Sequence, residues 1–189
     1  ISMMSLNWKR HLPNTIIICP NGHERCSINP SGYQWFDLSN DDPNYILEEV
    51  KKAEKKLNQF ISEIKNEFNL ENNKICLSGF SQGCMMSLNL GLTSNEEYCC
   101  LVGFSGKIIN QNYLKIKKNV SHNVLMIHGD ADEIVSPNFL LEAKDYLMRN
   151  NVNIETHLLK NCGHHIPIEA SSIALNYIQK KFNNWFPLK

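Results

Sequence analysis

No run of apolar residues in this chain approaches the roughly 18 that a bilayer-spanning helix needs, so stable membrane insertion is not expected. Neither sign of charge is in excess. The 19 Lys and Arg side chains are matched by 19 Asp and Glu, which leaves no electrostatic footprint for nucleic acid or an anionic membrane surface. Internal repeats, low-complexity tracts and linker-like breaks in composition are also missing. The 189 residues therefore read as one domain, 1–189, long enough to bury a core of its own. Ile1-Ser2-Met3-Met4 offers no initiator methionine and no signal-peptide pattern, as expected of a chain that starts mid-sequence. Cys19, His23 and Cys26 lack a fourth ligand at finger-like spacing, so no metal is expected. Cysteine itself is plentiful. Seven is an odd number, and five of the seven sit in or beside apolar strand and helix patterns, which points to buried thiols in a reducing compartment, the cytoplasm, rather than a disulfide framework.

The pattern of apolar residues predicts strands alternating with helices. Thr15-Ile16-Ile17-Ile18-Cys19, closed by Pro20-Asn21-Gly22, is a continuous β-branched run and predicts a central strand buried on both faces. The loop after it ends at Tyr33-Gln34-Trp35-Phe36, an aromatic cluster that suits either loop packing or the wall of a cleft. Asp41-Asp42-Pro43 then supplies an acidic cap and a first-turn proline for a long helix. Leu47, Val50, Leu57, Phe60, Ile61, Ile64 and Phe68 recur at three- and four-residue steps on one side of that helix, and the Lys51-Lys52 and Lys55-Lys56 pairs form a solvated face. Further strands are predicted at Cys99–Phe104, Val124–His128 and, nearer a sheet edge, Ile154–Leu159. Helices are predicted from Pro137 to Met148 and from Pro167 to Phe182. Alternation of this kind implies a parallel sheet covered on both faces.

One stretch carries chemistry. Lys74–Ser78 predicts a short buried strand and Cys84–Leu90 an apolar helix, with Gly79-Phe80-Ser81-Gln82-Gly83 between them. Strand, G-x-S-x-G, helix is the context of a nucleophile elbow, in which glycines permit a sharp turn and a close helix–strand approach that leave the serine hydroxyl exposed. The pentapeptide alone is a weak signal, and its flanks strengthen it. Gly103-Phe104-Ser105-Gly106 is a superficial echo without the second glycine at the right distance. A serine also needs a base to take its proton and a third group to orient that base. His128-Gly129-Asp130-Ala131-Asp132-Glu133 follows one predicted strand, and Asn161-Cys162-Gly163-His164-His165 follows the next, so serine, acid and histidine arrive in α/β-hydrolase order.

From about Pro13 to Phe182 the chain resembles the phospholipase/carboxylesterase family of α/β-hydrolases, which includes acyl-protein thioesterases and small bacterial carboxylesterases. The resemblance rests on Tyr33–Phe36, Asp41-Asp42-Pro43, Gly79–Gly83, Gly103–Gly106, His128–Asp132 and Gly163-His164. It implies an α/β-hydrolase fold, a mostly parallel sheet with helices on both faces, here lacking the N-terminal strands. Ser81 is then the nucleophile, Asp132 the acid in preference to Asp130, and His164 the base in preference to His165. The other histidines, His11, His23, His122, His128 and His157, are expected to be structural or exposed. Gln82 supplies one backbone oxyanion donor. The family's second donor comes from a loop resembling His-Gly-x-Gly after an early strand, and no such segment stands in this sequence. The domain is therefore expected to be N-terminally incomplete; a chain that truly began at Ile1 would have a half-built oxyanion hole, at a cost on the order of 100-fold or more in rate. Glu133 and Ser136 stand where the family often has prolines.

The function so implied is a serine hydrolase acting on carboxylic esters or thioesters, including short-chain esters, lysophospholipids or acylated proteins, as monomer or homodimer and without a cofactor. Trp35, Phe36, Met85 and Leu101 are candidates to line an acyl or alcohol pocket. A serine peptidase or amidase on the same fold, and a non-catalytic binding protein that retains it, are the alternative readings.

Overall fold

The computed structural model describes residues 1–26 and 29–185, so positions 27, 28 and 186–189 of the expected 1–189 domain lie outside the described residues. Helix α1 (Ser2–His11) leads to a short antiparallel pair, β1 (Glu24–Arg25) and β2 (Tyr33–Gln34), and then to helix α2 (Pro43–Phe68). Strands β3 (Cys76–Phe80) and β4 (Cys100–Phe104) flank helix α3 (Gln82–Thr93). Strands β5 (Asn123–Gly129) and β6 (Asn153–Leu159) flank helix α4 (Asn138–Arg149), and helix α5 (Ile168–Trp185) follows. Strands β3 to β6 lie side by side in chain order, all parallel, with Phe80 opposite Phe104 and Phe104 opposite Ile127. Parallel pairing puts the carboxyl ends of all these strands at one edge of the sheet, where their following loops meet.

Both faces of the sheet are covered, because successive side chains of a strand point to opposite sides. Leu101, Val124 and Met126 pack against α2, α3 and α4. Val102, Phe104, Leu125 and Ile127 pack against α1 and α5. Every residue of β4 is buried, while β6 alternates between exposed and part-buried positions, the pattern of a sheet edge. The connection from β4 to β5 contains no helix. Its Ile108 and Ile109 are buried in the core beneath α4, and the Tyr146 hydroxyl donates to the carbonyls of Gln111 (3.1 Å) and Leu114 (3.2 Å), which ties that loop down.

The α2 stripe is buried at its centre and fades at its end: Val50, Ala53, Leu57 and Ile61 are buried, Leu47, Phe60 and Ile64 part-buried and Phe68 exposed, with Lys51, Lys52, Lys55 and Lys56 exposed on the other side. Asp42 caps the helix, its Oδ1 accepting from the N–H groups of Asn44 and Tyr45 at 2.9 Å each, and Pro43 occupies a first-turn position where no intrahelical N–H is needed.

Thr15–Cys19 departs from expectation. It forms no strand, and Ile16 and Ile18 are 58% and 40% exposed rather than buried on both faces. The reason lies in pairing. A β-branched run has strand propensity, but a strand exists only beside a neighbour at ladder spacing. Here the run and β3 both line an apolar cleft of ≈ 840 Å³, which Leu57, Ile61 and Ile64 of α2 also border. Among the described residues the sheet thus begins at β3, the strand that leads into Ser81.

Replacing Asp42 by Ala should cost about 1 kcal/mol, the usual worth of an N-cap, read as a lowered urea midpoint with an unchanged m-value.

Candidate active site

Ser81 stands between β3 and α3 with φ 54° and ψ −118°, a backbone conformation that costs a non-glycine residue about 1–3 kcal/mol. Two features hold it there. Its N–H donates to Phe104 O at 2.9 Å, extending the β3–β4 ladder by one bond, and its carbonyl accepts the first helical bond, from Met85 N–H at 3.1 Å. The flanking glycines allow the strand and helix to close on each other: a Cβ on Gly79 would stand 2.1 Å from the Gly83 carbonyl carbon. Gln82 then opens α3, where backbone N–H groups point outward without intrahelical partners and the helix dipole favours negative charge.

The Gln82 side chain makes a contribution that no sequence spacing announces. Its Oε1 accepts from Trp35 N–H at 3.0 Å and its Nε2 donates to Phe36 O at 2.9 Å, so one carboxamide stitches the aromatic loop to the elbow. The Tyr45 hydroxyl, donating to Asp37 at 2.8 Å, fastens the same loop to α2. Of the pocket candidates, Trp35 borders the apolar cleft, whereas Phe36, Met85 and Leu101 are 1%, 5% and 2% exposed and belong to the core. The cleft runs along β3 to Ser81, Gln82 and Gly83.

Asp132 and His164 lie 32 residues apart in sequence, and the structure brings them into contact through Asp132 Oδ2 and His164 Nδ1 at 2.8 Å. Their loops are zipped together before the side chains meet. Asp130 N–H donates to Leu159 O at 2.9 Å, and Ala131 N–H donates to Cys162 O at 3.0 Å. Gly129 is obligatory at this crossing, since a Cβ there would stand 2.0 Å from Cys162 O. Asp132 is buried, and its Oδ1 accepts from the N–H groups of Ile134 (3.0 Å) and Val135 (2.9 Å). Asp130 points its carboxylate to solvent, and His165 is exposed. Burial alone would push the Asp132 carboxyl up, but the Val135 and Ile134 N–H groups and the His164 ring outweigh it and hold the group below its ordinary range.

With Nδ1 facing a carboxylate, His164 carries its proton there and leaves Nε2 as an acceptor. Its ring lies against Phe80, the residue before Ser81, with centroids 4.7 Å apart and planes tilted by 42°. Among the described residues no hydrogen bond joins Ser81 Oγ to His164, a spacing common in sites that tighten only around substrate. Ser105 follows β4 and shares a positive φ of 46°, but it is 2% exposed and opens no helix. His128, the first residue of the motif that holds Asp132, is buried beside that carboxylate four positions along the chain. Among the described residues no cluster of three or more His, Cys, Asp or Glu side chains is placed to hold a metal, and no helix is long and apolar enough to cross a membrane.

The lowered Asp132 carboxyl fixes a sign. A group depressed in the folded state stabilises the protein above its ordinary value and loses that contribution as pH falls through the folded one. The stability gap between wild type and Asp132→Asn, measured by urea unfolding, should therefore be widest near neutrality and narrow on acidification.

Comparison with known proteins agrees with this geometry. Acyl-protein thioesterase 1 of Yarrowia lipolytica is 25% identical over 160 residues, covering 80% of this chain and 68% of the relative. Esterase YpfH of Escherichia coli is 24% identical over 183 residues, covering 92% and 73%. Among solved structures, esterase PE8 superposes with a TM-score of 0.86 at 28% identity over 94% of this chain and 84% of its own. The carboxylesterase of Bacillus cereus shares the fold, with a TM-score of 0.74 at 20% identity over 86% and 74%. The model of the Phospholipase/Carboxylesterase family matches residues 2–182, and the chain belongs to that family of hydrolases with the α/β-hydrolase fold.

Proposed function

We propose that this hydrolase cleaves carboxylic esters or thioesters through an acyl-enzyme on Ser81. The observation that carries the reading is the 2.8 Å contact between the buried Asp132 carboxylate and His164, set at the same end of the sheet as a serine held at positive φ. His164 Nε2 takes the proton of Ser81 Oγ as the oxygen attacks the acyl carbon. The oxyanion that forms is received by the Gln82 N–H at the start of α3. Collapse breaks the bond to the leaving alcohol or thiol, which takes its proton from His164. Water then attacks the acyl-enzyme, again with His164 as base, and releases the acid and free Ser81. Asp132 keeps the imidazole in the Nδ1–H tautomer throughout.

The thioesterase and esterase names of the relatives support substrates of the short-chain ester, lysophospholipid or acylated-protein type. The reading needs no cofactor and works in one domain, alone or as a homodimer. The seven free cysteines suit a reducing cytoplasm.

Ser81→Ala should abolish hydrolysis of a short p-nitrophenyl ester, with an unchanged circular dichroism spectrum; undiminished turnover would refute the mechanism. Asp132→Asn should lower kcat by on the order of 10³-fold or more, and Asp130→Asn by no more than about threefold. The reverse ranking would move the acid role to Asp130. Fluorophosphonate labelling of Ser81 tests the non-catalytic alternative, because only an activated serine reacts quickly. An ester-against-peptide-amide panel tests the peptidase alternative.

A further inference from the structure

His128 is the last residue but one of β5, with a side chain wholly removed from solvent. Its Nε2 lies 2.8 Å from Val135 O and 3.3 Å from Asp132 Oδ2. A carbonyl oxygen can only accept, so Nε2 bears the proton and donates to Val135. The second nitrogen, Nδ1, is buried and has no hydrogen-bond partner. It fits there only as a bare lone pair, since an N–H buried without an acceptor costs about 1–3 kcal/mol. The small gap beside the ring is bordered by Ser105, Leu159, Cys162, His165, Pro167 and Ala170 and has no room for a water molecule. One tautomer is therefore imposed on His128 by its surroundings.

That tautomer closes a ring of contacts around the carboxylate. Asp132 Oδ1 accepts the N–H of Val135, the Val135 carbonyl accepts the N–H of His128, and the same N–H turns its positive end towards Asp132 Oδ2. The turn Asp132–Val135 is thereby pinned to β5 at a point the chain has already passed. Oδ2, the oxygen that meets His164, cannot swing without disturbing the bond between His128 and Val135.

We infer that His128 is a positioning residue for the reaction at Ser81, its Nε2–H locking the Asp132–Val135 turn so that Asp132 Oδ2 stays aimed at His164 Nδ1. The inference rests on the roles given above to Asp132 and His164. His128 touches neither substrate nor nucleophile; it acts through Asp132.

Two substitutions separate this from a packing role. His128→Leu fills the space and removes the donor, whereas His128→Gln keeps an N–H near the place of Nε2. With a p-nitrophenyl ester, the Leu variant is expected to lose on the order of 10- to 100-fold in kcat with KM held within about twofold, and the Gln variant to recover to within about threefold of wild type. A folded Leu variant with wild-type kcat overturns the inference, as do Leu and Gln variants equally impaired in kcat. Should the Leu variant not fold, a long-range ¹⁵N–¹H spectrum of the wild-type protein decides: the Nε2–H tautomer of His128 supports the inference and the Nδ1–H tautomer overturns it. Ser81→Ala measured alongside keeps the two ideas apart. If it still turns over ester, the serine mechanism fails whatever His128 does. If it is silent, the His128 result stands by itself.

Discussion

The main-chain conformation of Ser81 is the constraint on which the rest of the site depends. A serine at φ 54° is held only if strand and helix clasp it from both sides, and that clasp requires bare backbone at Gly79, where a Cβ would run into the Gly83 main chain. It also requires β4 to continue beside β3, because the Ser81 N–H is satisfied by Phe104 O. The next turn repeats the tactic: Gly106 lies so close to Cys84 that a Cβ would meet its Sγ at 2.5 Å, which seats the end of β4 under the first turn of α3. The strain is local, and what opposes it is the ordinary packing of two strands and a helix in the core.

A second layer of organisation joins the ends of β5 and β6. Neither loop is long, and each is sewn to the other by main-chain bonds, independently of any side chain. Parallel register supplies the coarse placement, since Gly129 pairs with Leu159 and both loops start at the same height. Fine placement then comes from Asp132, whose carboxylate satisfies two N–H groups of its own turn while turning its other oxygen to His164.

Much of this was legible in the sequence because it is written in local patterns. The G-x-S-x-G flanked by strand and helix and the long helix after Asp42-Pro43 follow from residues within a few positions of one another, and the order of serine, acid and histidine from short motifs that each follow a predicted strand. The preference for Asp132 over Asp130 rests on the family resemblance; in the structure Asp132 is buried and bonded to His164, and Asp130 is exposed. Thr15–Cys19 was misread because strand formation is a property of two chains, and propensity reports on one of them. Phe36 and Met85 could not be told from pocket residues, since an aromatic in a loop and a methionine on a helix look the same whether they face a cleft or the core. The partners of Gln82 and His128 were invisible for a related reason: a carboxamide or an imidazole declares nothing about the distant main-chain group it will bond.

The stitch from Gln82 to the aromatic loop has a mechanical meaning. Trp35 borders the cleft, and its main-chain N–H is tied to the residue next to Ser81. The aromatic loop and the residue next to Ser81 are thus fastened to one another by a single carboxamide. Moving that loop would strain two hydrogen bonds that both end on the first turn of α3.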